Sequence, residues 1–375
     1  MMKKWLICLL CVLLSSCAFA QEIGAEITEL RTQIGDNVVA YPQLAGMADA
    51  AVQQAINDDI VLSSGVTDHL ITLVTLGQSS VGLKVDYSAA ITDDGYFSVL
   101  ISAKGSKVGG KRDGHAYSAM TYDLRTGARV TLSDLFIDEE AAAAYMEQIV
   151  QETLSDELNG YMEYSDLTPL PRDSFTLDEH GITFWYPTDQ FQLLSGYSGA
   201  CQFWYEELEG LWKNKTAEQL ANAEIADAIA ASVSEGTVPH VPVTMGQPMP
   251  EVTQAYRLLR EPDEFPGGRY FVLEDPAFRS VLVISDALSG DDEHAVVEGI
   301  QLKRGGLHGL MIGRTATDEW RDVLGNPEET IVFSENMAYD YNLPAGSYDI
   351  YHFGGNELRL HADESGVLCA IQICK

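Results

Sequence analysis

Basic residues are scarce in this chain of 375: 23 Lys and Arg stand against 56 Asp and Glu, a formal net charge of −33 at pH 7. A surface this acidic repels phosphate backbones and anionic lipid, so nucleic acid is excluded as an expected partner and basic proteins or cations remain. Cysteine is scarce as well. Of the six, Cys8, Cys11 and Cys17 fall near the start, which leaves Cys201, Cys369 and Cys374, an odd number for a disulfide framework. Cys369 and Cys374 lie in one expected strand, five apart, so they would face opposite ways and stand roughly 16 Å from each other. A bridge between them is disfavoured on geometry, and how the three would pair stays open. After the first residues no apolar run approaches the roughly 20 residues of a membrane-spanning helix.

Catalytic signatures are missing too. The eight histidines never fall at HxxxH or HExxH spacing, and no GxSxG elbow is present. Carboxylate pairs mean little where acids are this abundant. Gly105 to Lys111 spells GxxxxGK after a strand, but Arg112 stands where a phosphate-binding loop needs Ser or Thr to hold magnesium, and a strand rather than a helix follows. A basic connecting loop is the better account. His352 and His361 on neighbouring strands would make one weak metal pair, and Asp291-Asp292-Glu293 lacks the calcium-loop ligand pattern and reads as a solvated turn. The chain is therefore expected to be no enzyme and to need no cofactor or metal.

What is present begins with an export signal. Lys3 and Lys4 precede an apolar run from Trp5 to Leu14, followed by the small residues Ser15, Ser16, Cys17 and Ala18, and by Ala20. That is the three-part order of a secretory signal peptide, covering residues 1–20. Two processing readings stay open: Leu14-Ser15-Ser16-Cys17 has the form of a lipobox, with Cys17 lipidated, and Ala18-Phe19-Ala20 fits ordinary cleavage and release. Either way the expected location is extracytoplasmic, with membrane contact only through a lipid anchor.

With 46% apolar residues the rest has material for packed cores, and its length predicts more than one domain. The pattern predicts an α+β fold. In residues 21–215, helical spacing over Gly46 to Ile60 and Asp138 to Leu158 predicts two amphipathic helices. Strands are expected over Val81 to Ile91 and Tyr96 to Ala103, joined by the hairpin signal Thr92-Asp93-Asp94-Gly95. Further strands are expected over His115 to Leu124 and Arg129 to Leu132. Residues 216–242 read as a helix, with a capping-box start at Thr216 to Gln219, and a linker, Gly236-Thr237-Val238-Pro239-His240-Val241-Pro242.

Beyond the linker, Met245-Gly246, a helix carrying Val252, Tyr256 and Leu259, and Glu261-Pro262 recur as Ile312-Gly313, a helix carrying Trp320, Val323 and Leu324, and Asn326-Pro327. Each is followed by strands. Two small helix-plus-antiparallel-sheet copies are predicted, over 243–305 and 306–375. In the second, Tyr339, Tyr341, Tyr348, Tyr351 and Phe353 cluster around Leu343-Pro344-Ala345-Gly346 and are the candidate ligand-binding residues. In a strand from Ser347 to Phe353, alternation puts Tyr348, Ile350 and His352 on one face and Asp349, Tyr351 and Phe353 on the other. One face must pack on the helix of Trp320. The other is expected to be a partly exposed aromatic surface.

Two resemblances add to this. Tyr41-Pro42-Gln43-Leu44-Ala45-Gly46, Thr121-Tyr122-Asp123-Leu124-Arg125-Thr126-Gly127, Leu132-Ser133-Asp134-Leu135-Phe136, Gly181-Ile182-Thr183-Phe184-Trp185-Tyr186 and Tyr205-Glu206-Glu207-Leu208 follow one another in an order that resembles the extracytoplasmic domain of the PdaC/RsiV type. That family includes a peptidoglycan deacetylase and a lysozyme-sensing anti-sigma factor. No deacetylase domain follows here and no cytoplasmic segment precedes the signal, so only the sensing or binding module is expected to carry over. The tandem copies resemble the modules of β-lactamase inhibitor protein and the envelope lipoprotein BamE, which implies protein binding without chemistry. The combined expectation is a binding protein for a protein, such as a basic lysozyme, or a cell-wall glycan. The alternatives are an enzyme acting on cell-wall polysaccharide and a structural envelope lipoprotein.

Overall fold

The computed structural model describes residues 24–76, 82–105, 114–150, 169–186, 200–213, 222–258, 261–265, 268–273, 280–285, 294–334 and 343–375. The fold is α+β, as the pattern predicts. Strands β1 (Glu26–Ile34) and β2 (Asn37–Ala45) form an antiparallel pair in unbroken register. Helix α1 (Ala50–Ser63) starts where Asp49 accepts from the N–H groups of Ala51 at 2.9 Å and Val52 at 3.1 Å, satisfying donors that a helix start leaves open. Its inward residues Ile56 and Ile60 are buried.

A second helix, α2 (Val66–Leu76), falls where no helix was expected from the residue pattern. Its β-branched residues are poor helix formers, yet it buries Val66 and Leu73 against the same sheet, and packing outweighs propensity. The two helices carry the chain over to β3 (Leu83–Ile91), which pairs parallel with β2. Strand β4 (Tyr96–Gly105) returns through the expected hairpin, where Thr92 N–H donates to Tyr96 O at 2.9 Å and Gly95 takes φ +82°. β5 (Gly114–Asp123) completes a five-stranded sheet in chain order.

The strand expected over Arg129 to Leu132 is reduced to a single bridge, Tyr122 to Arg129. The cause is local: Asp134 accepts from Thr131 N–H at 2.8 Å and starts the short helix α3 (Leu132–Leu135). Helix α4 (Glu139–Ile149) is capped by Asp138. Of the helix expected to Leu158, the part beyond 150 lies outside the described residues, as do Thr216 to Gln219. Strands β6 (Phe175–Leu177), β7 (Gly181–Trp185) and β8 (Ala200–Trp204) make a three-stranded antiparallel sheet. It docks on the first sheet through buried hydroxyls: Thr121 Oγ1 donates to Phe175 O at 3.0 Å, and Leu177 N–H donates to Ser98 Oγ at 2.7 Å.

Helix α5 (Asn222–Glu235) and the residues after it correct the linker reading. Val238, Val241 and Val243 are buried in the same core as Ile229, Val233 and the C-terminal sheet. The buried valines alternate with Pro239, His240 and the exposed Pro242, so a linker-like composition lies over a buried apolar side.

The chain then follows one course twice. Helix α6 (Met249–Ala255) precedes the meander β9 (Asp263–Phe265), β10 (Gly268–Phe271), β11 (Val281–Ser285) and β12 (Gly299–Leu302). After the small hairpin β13 (Gly306–Leu307) and β14 (Leu310–Met311), helix α7 (Thr317–Leu324) precedes β15 (Glu329–Phe333), β16 (Gly346–Phe353), β17 (Asn356–Asp363) and β18 (Leu368–Cys374). The entries to the two helices match in detail. Gly246 and Gly313 take φ +82° and +78°, and each donates its N–H at 2.7 Å, to Val297 O and Leu368 O. The last strands of the copies, β12 and β18, pair antiparallel, so the two meanders fuse into one eight-stranded sheet of order β15-β16-β17-β18-β12-β11-β10-β9.

Candidate functional site

The inner face of β16 is structural. Asp349, fully buried, accepts from Trp320 Nε1 at 3.0 Å, from Arg321 Nε at 2.7 Å and Nη2 at 2.8 Å, and from Thr330 Oγ1 at 2.6 Å. Burial alone would raise its carboxyl, but the hydrogen bonds from Arg321, Thr330 and Trp320 outweigh that and hold it below the usual range. Tyr351 is 4% exposed and its hydroxyl donates to Gly325 O at 3.1 Å. Phe353 packs on the same core. Tyr351 and Phe353 are thereby removed from the candidate ligand-binding set, because strand alternation turns them onto the helix-side core together with Asp349. Tyr339, Tyr341 and Cys17 lie outside the described residues, as do Asp291-Asp292-Glu293 and most of the GxxxxGK stretch.

The outer face of β16 carries Tyr348, Ile350 and His352. The register sets Tyr348 beside His361 and Ala370, Ile350 beside Arg359 and Gln372, and His352 beside Glu357 and Cys374. Tyr348 is half-buried. Its ring lies 4.8 Å from that of His361 and 5.8 Å from that of Phe333, which are themselves 5.8 Å apart, and the Arg359 guanidinium sits 5.8 Å from the tyrosine centroid. Arg359 is held by Glu357. Burial, with the nearby Arg359 charge, pushes the His361 imidazole down to about 3, so it is neutral at physiological pH. His361 Nε2 and Gln301 Nε2 are buried and have no hydrogen-bond partner among the described residues. His352 is exposed and lies four residues along the strand from His361, roughly 13 Å at the usual rise, so the weak metal pair considered from the sequence is not formed. Burial lifts Cys369 to about 12 and Cys374 to about 11, leaving both thiols protonated and unreactive.

Sequence reasoning missed a second polar cluster, at the seam between the three-stranded sheet and the C-terminal sheet. His180 and His240 approach with Nδ1 atoms 2.6 Å apart, and Glu179 and Glu206 stand 3.4 and 3.7 Å from their Nε2 atoms. Burial would raise Glu206, but its hydrogen bond with His240 holds it low. Beside them the fully buried pair Glu207 and Arg304 meets at 2.7 Å, Arg304 donates to Gln202 O, and Arg314 donates to Tyr145 Oη at 2.7 Å and Glu207 O at 2.6 Å. Gly305 lies so close to the Trp204 ring that a Cβ there would stand 1.9 Å from it. No spacing rule links His180 to His240 or Glu207 to Arg304; only the fold brings them together. Among the described residues no group of three or more His, Cys, Asp or Glu is arranged to hold a metal ion, and no helix is long and apolar enough to cross a membrane.

No protein-family model and no curated protein matches the sequence. Among solved structures, the chain is similar to a DUF3298 family member from Bacteroides fragilis, with a TM-score of 0.37 and 12% identity over 51% of this chain and 92% of that one. It is similar to a DUF3298 family protein from Pseudomonas aeruginosa, at 0.35 and 16% over 51% and 93%. A DUF4309 family protein from Bacillus subtilis gives 0.26 and 11% over 40% and 96%. These are likenesses of partial extent and carry no functional statement.

Proposed function

We propose that this chain is a non-enzymatic extracytoplasmic binding protein, anchored through Cys17 or released after Ala20, that recognises a protein or cell-wall glycan on the outer face of the eight-stranded sheet around Tyr348. The observation that carries this reading is the packing there. Tyr348 is half-buried, while Phe333 and His361, whose rings lie against it, are buried. A tyrosine fixed in this way offers apolar area with a polar tip and loses little freedom on binding. The test is titration of the mature protein with soluble peptidoglycan fragments and, separately, with a c-type lysozyme. Tyr348→Ala is expected to weaken binding by at least about tenfold, the scale of a hot-spot tyrosine, while the fold persists. Equal binding by the variant would remove the face from the site. Release of new fragments from peptidoglycan would instead establish the enzymatic alternative.

The charge favours a second reading, in which residues 21–215 capture a basic lysozyme, as the likeness to the PdaC/RsiV type implies. A net charge of −33 steers basic proteins inward. Steering alone is screened by salt, whereas a docked complex keeps its short-range contacts. Binding by the full chain is expected to persist in about 0.5 M salt, where the Debye length is below about 5 Å. An unrelated, equally basic protein captured and released in parallel would reduce the signal to charge.

A further inference from the structure

Edge strands expose unpaired backbone groups, and proteins blunt them by shortening, proline, bulges or cover. In the C-terminal sheet the edges are short: β9 has three residues and β15 five. In the first sheet, β5 is flanked by the Tyr122–Arg129 bridge and by β6. Strand β1 has none of these protections and is blunted only by the charges of Glu26, Glu29 and Arg31. It runs for nine residues without proline, and its pairing with β2 continues without a bulge from Glu26–Ala45 to Ile34–Asn37. Among the described residues no strand pairs with its outer side. Its side chains are almost all exposed, and Leu30 at its centre is 47% exposed.

We propose that β1 is a homodimer interface, pairing antiparallel with β1 of a second copy about a two-fold axis through Leu30 to join two five-stranded sheets edge to edge. Symmetry narrows the choice of register. A two-fold axis normal to a sheet keeps each side chain on its own face, so it must pass through a residue position rather than between two. Centring on Glu29 would set Glu29 against its own copy, and centring on Arg31 would oppose two arginines; like charges directly opposite are unfavourable. Centring on Leu30 opposes Leu30 to Leu30, Thr28 to Thr32, and Glu29 to Arg31 twice. It is also the register that overlaps all nine residues, Glu26 facing Ile34. Within one chain Glu29 and Arg31 are only loosely paired, at 3.9 Å and both well exposed, so the intermolecular pairs break nothing strong.

The test uses the full mature chain in sedimentation velocity at physiological salt, where the self-repulsion of two acidic chains is screened beyond about 8 Å. A reversible, concentration-dependent dimer is expected. Arg31→Glu sets a glutamate against Glu29 of the second copy at both symmetric positions, and Glu29→Lys opposes Lys to Arg31. Each variant alone is expected to dissociate at least about tenfold more readily, since two pairs change from attractive to repulsive. The double variant E29K/R31E restores the dimer. Mixing the two single variants gives a mixed dimer, because each then supplies the charges that the other opposes. Circular dichroism and melting of all variants should match the parent, as these side chains are exposed. A monomer at every concentration would overturn the proposal, as would a dimer indifferent to both reversals.

Discussion

The two large sheets treat their boundaries in opposite ways. The first is laid down in chain order, joined by one parallel pair through α1 and α2, and leaves a long polar edge open at β1. The second is built from two copies of a helix and a meander, and it places the final strand of each copy at the centre, where β12 and β18 cover one another. Only short strands remain outside. Doubling a small unit removes an edge that a single unit would have to defend, and it converts two half-sheets into one broad face. The candidate binding residues lie on that face, and the candidate dimer edge lies on the sheet that was not doubled.

Breaking the seam between the two regions should have the largest effect. Arg304→Ala leaves Glu207 buried without its cation, and the loss of one partner of such a pair costs about 4 kcal/mol. Thermal melting should show a large fall in midpoint, with both regions unfolding less cooperatively. An unchanged melt would mean that the two regions are not coupled through this pair. Next is Asp349→Ala, which strands the donors of Trp320, Arg321 and Thr330 and is expected to cost about 3 kcal/mol in denaturant unfolding. If the first sheet shares that loss, the regions fold as one unit; if it does not, each has its own stability.

The smallest effect at neutral pH, and the most specific, concerns His361. Its imidazole is depressed from 6.5 to about 3 in the fold, so on acidification the unfolded chain takes up a proton that the folded chain refuses. Stability contributed by this site is therefore full above about pH 6.5 and falls as pH drops toward 3, by close to tenfold in the folding constant per pH unit. His361→Leu should leave stability at pH 8 nearly unchanged and flatten the acid limb of a pH titration of unfolding. An acid limb of the same slope in the variant would place the proton uptake elsewhere.

Much of this was legible in the residues. The Asp-Gly turn at Asp94-Gly95 and the helix around Ile56 depend on near neighbours, and near neighbours are visible in a sequence. Gly246 and Gly313 could be picked out in the residues, and both take a left-handed backbone conformation just before a helix. The face of β16 was half legible: alternation separated Tyr348 from Tyr351, but which set met the helix depended on Asp349 finding Trp320 and Arg321. Helix α2 was hidden because Val66, Ile71 and Val74 favour strands locally, while the burial of Val66 and Leu73 against the sheet holds the segment helical. The seam was invisible for a related reason. Glu207 and Arg304 stand far apart in the chain, and no periodicity connects them.

The central joint of the doubled sheet also has a kinetic side. Strand β12 is made well before β18, and the pairing from Leu302 to Ile371 closes a long loop, so it is a late, high-contact-order event. Until then the first copy presents β12 as a raw edge, next to the apolar β11 whose residues are all buried in the finished sheet. In that interval such an edge is open to other chains. A chaperone that holds β11 and β12 until Leu368–Cys374 arrives would shorten that exposure. Refolding yields that fall steeply with protein concentration, and recover when a peptide of the β18 sequence is added in excess, would identify this joint as the step at which folding and aggregation compete.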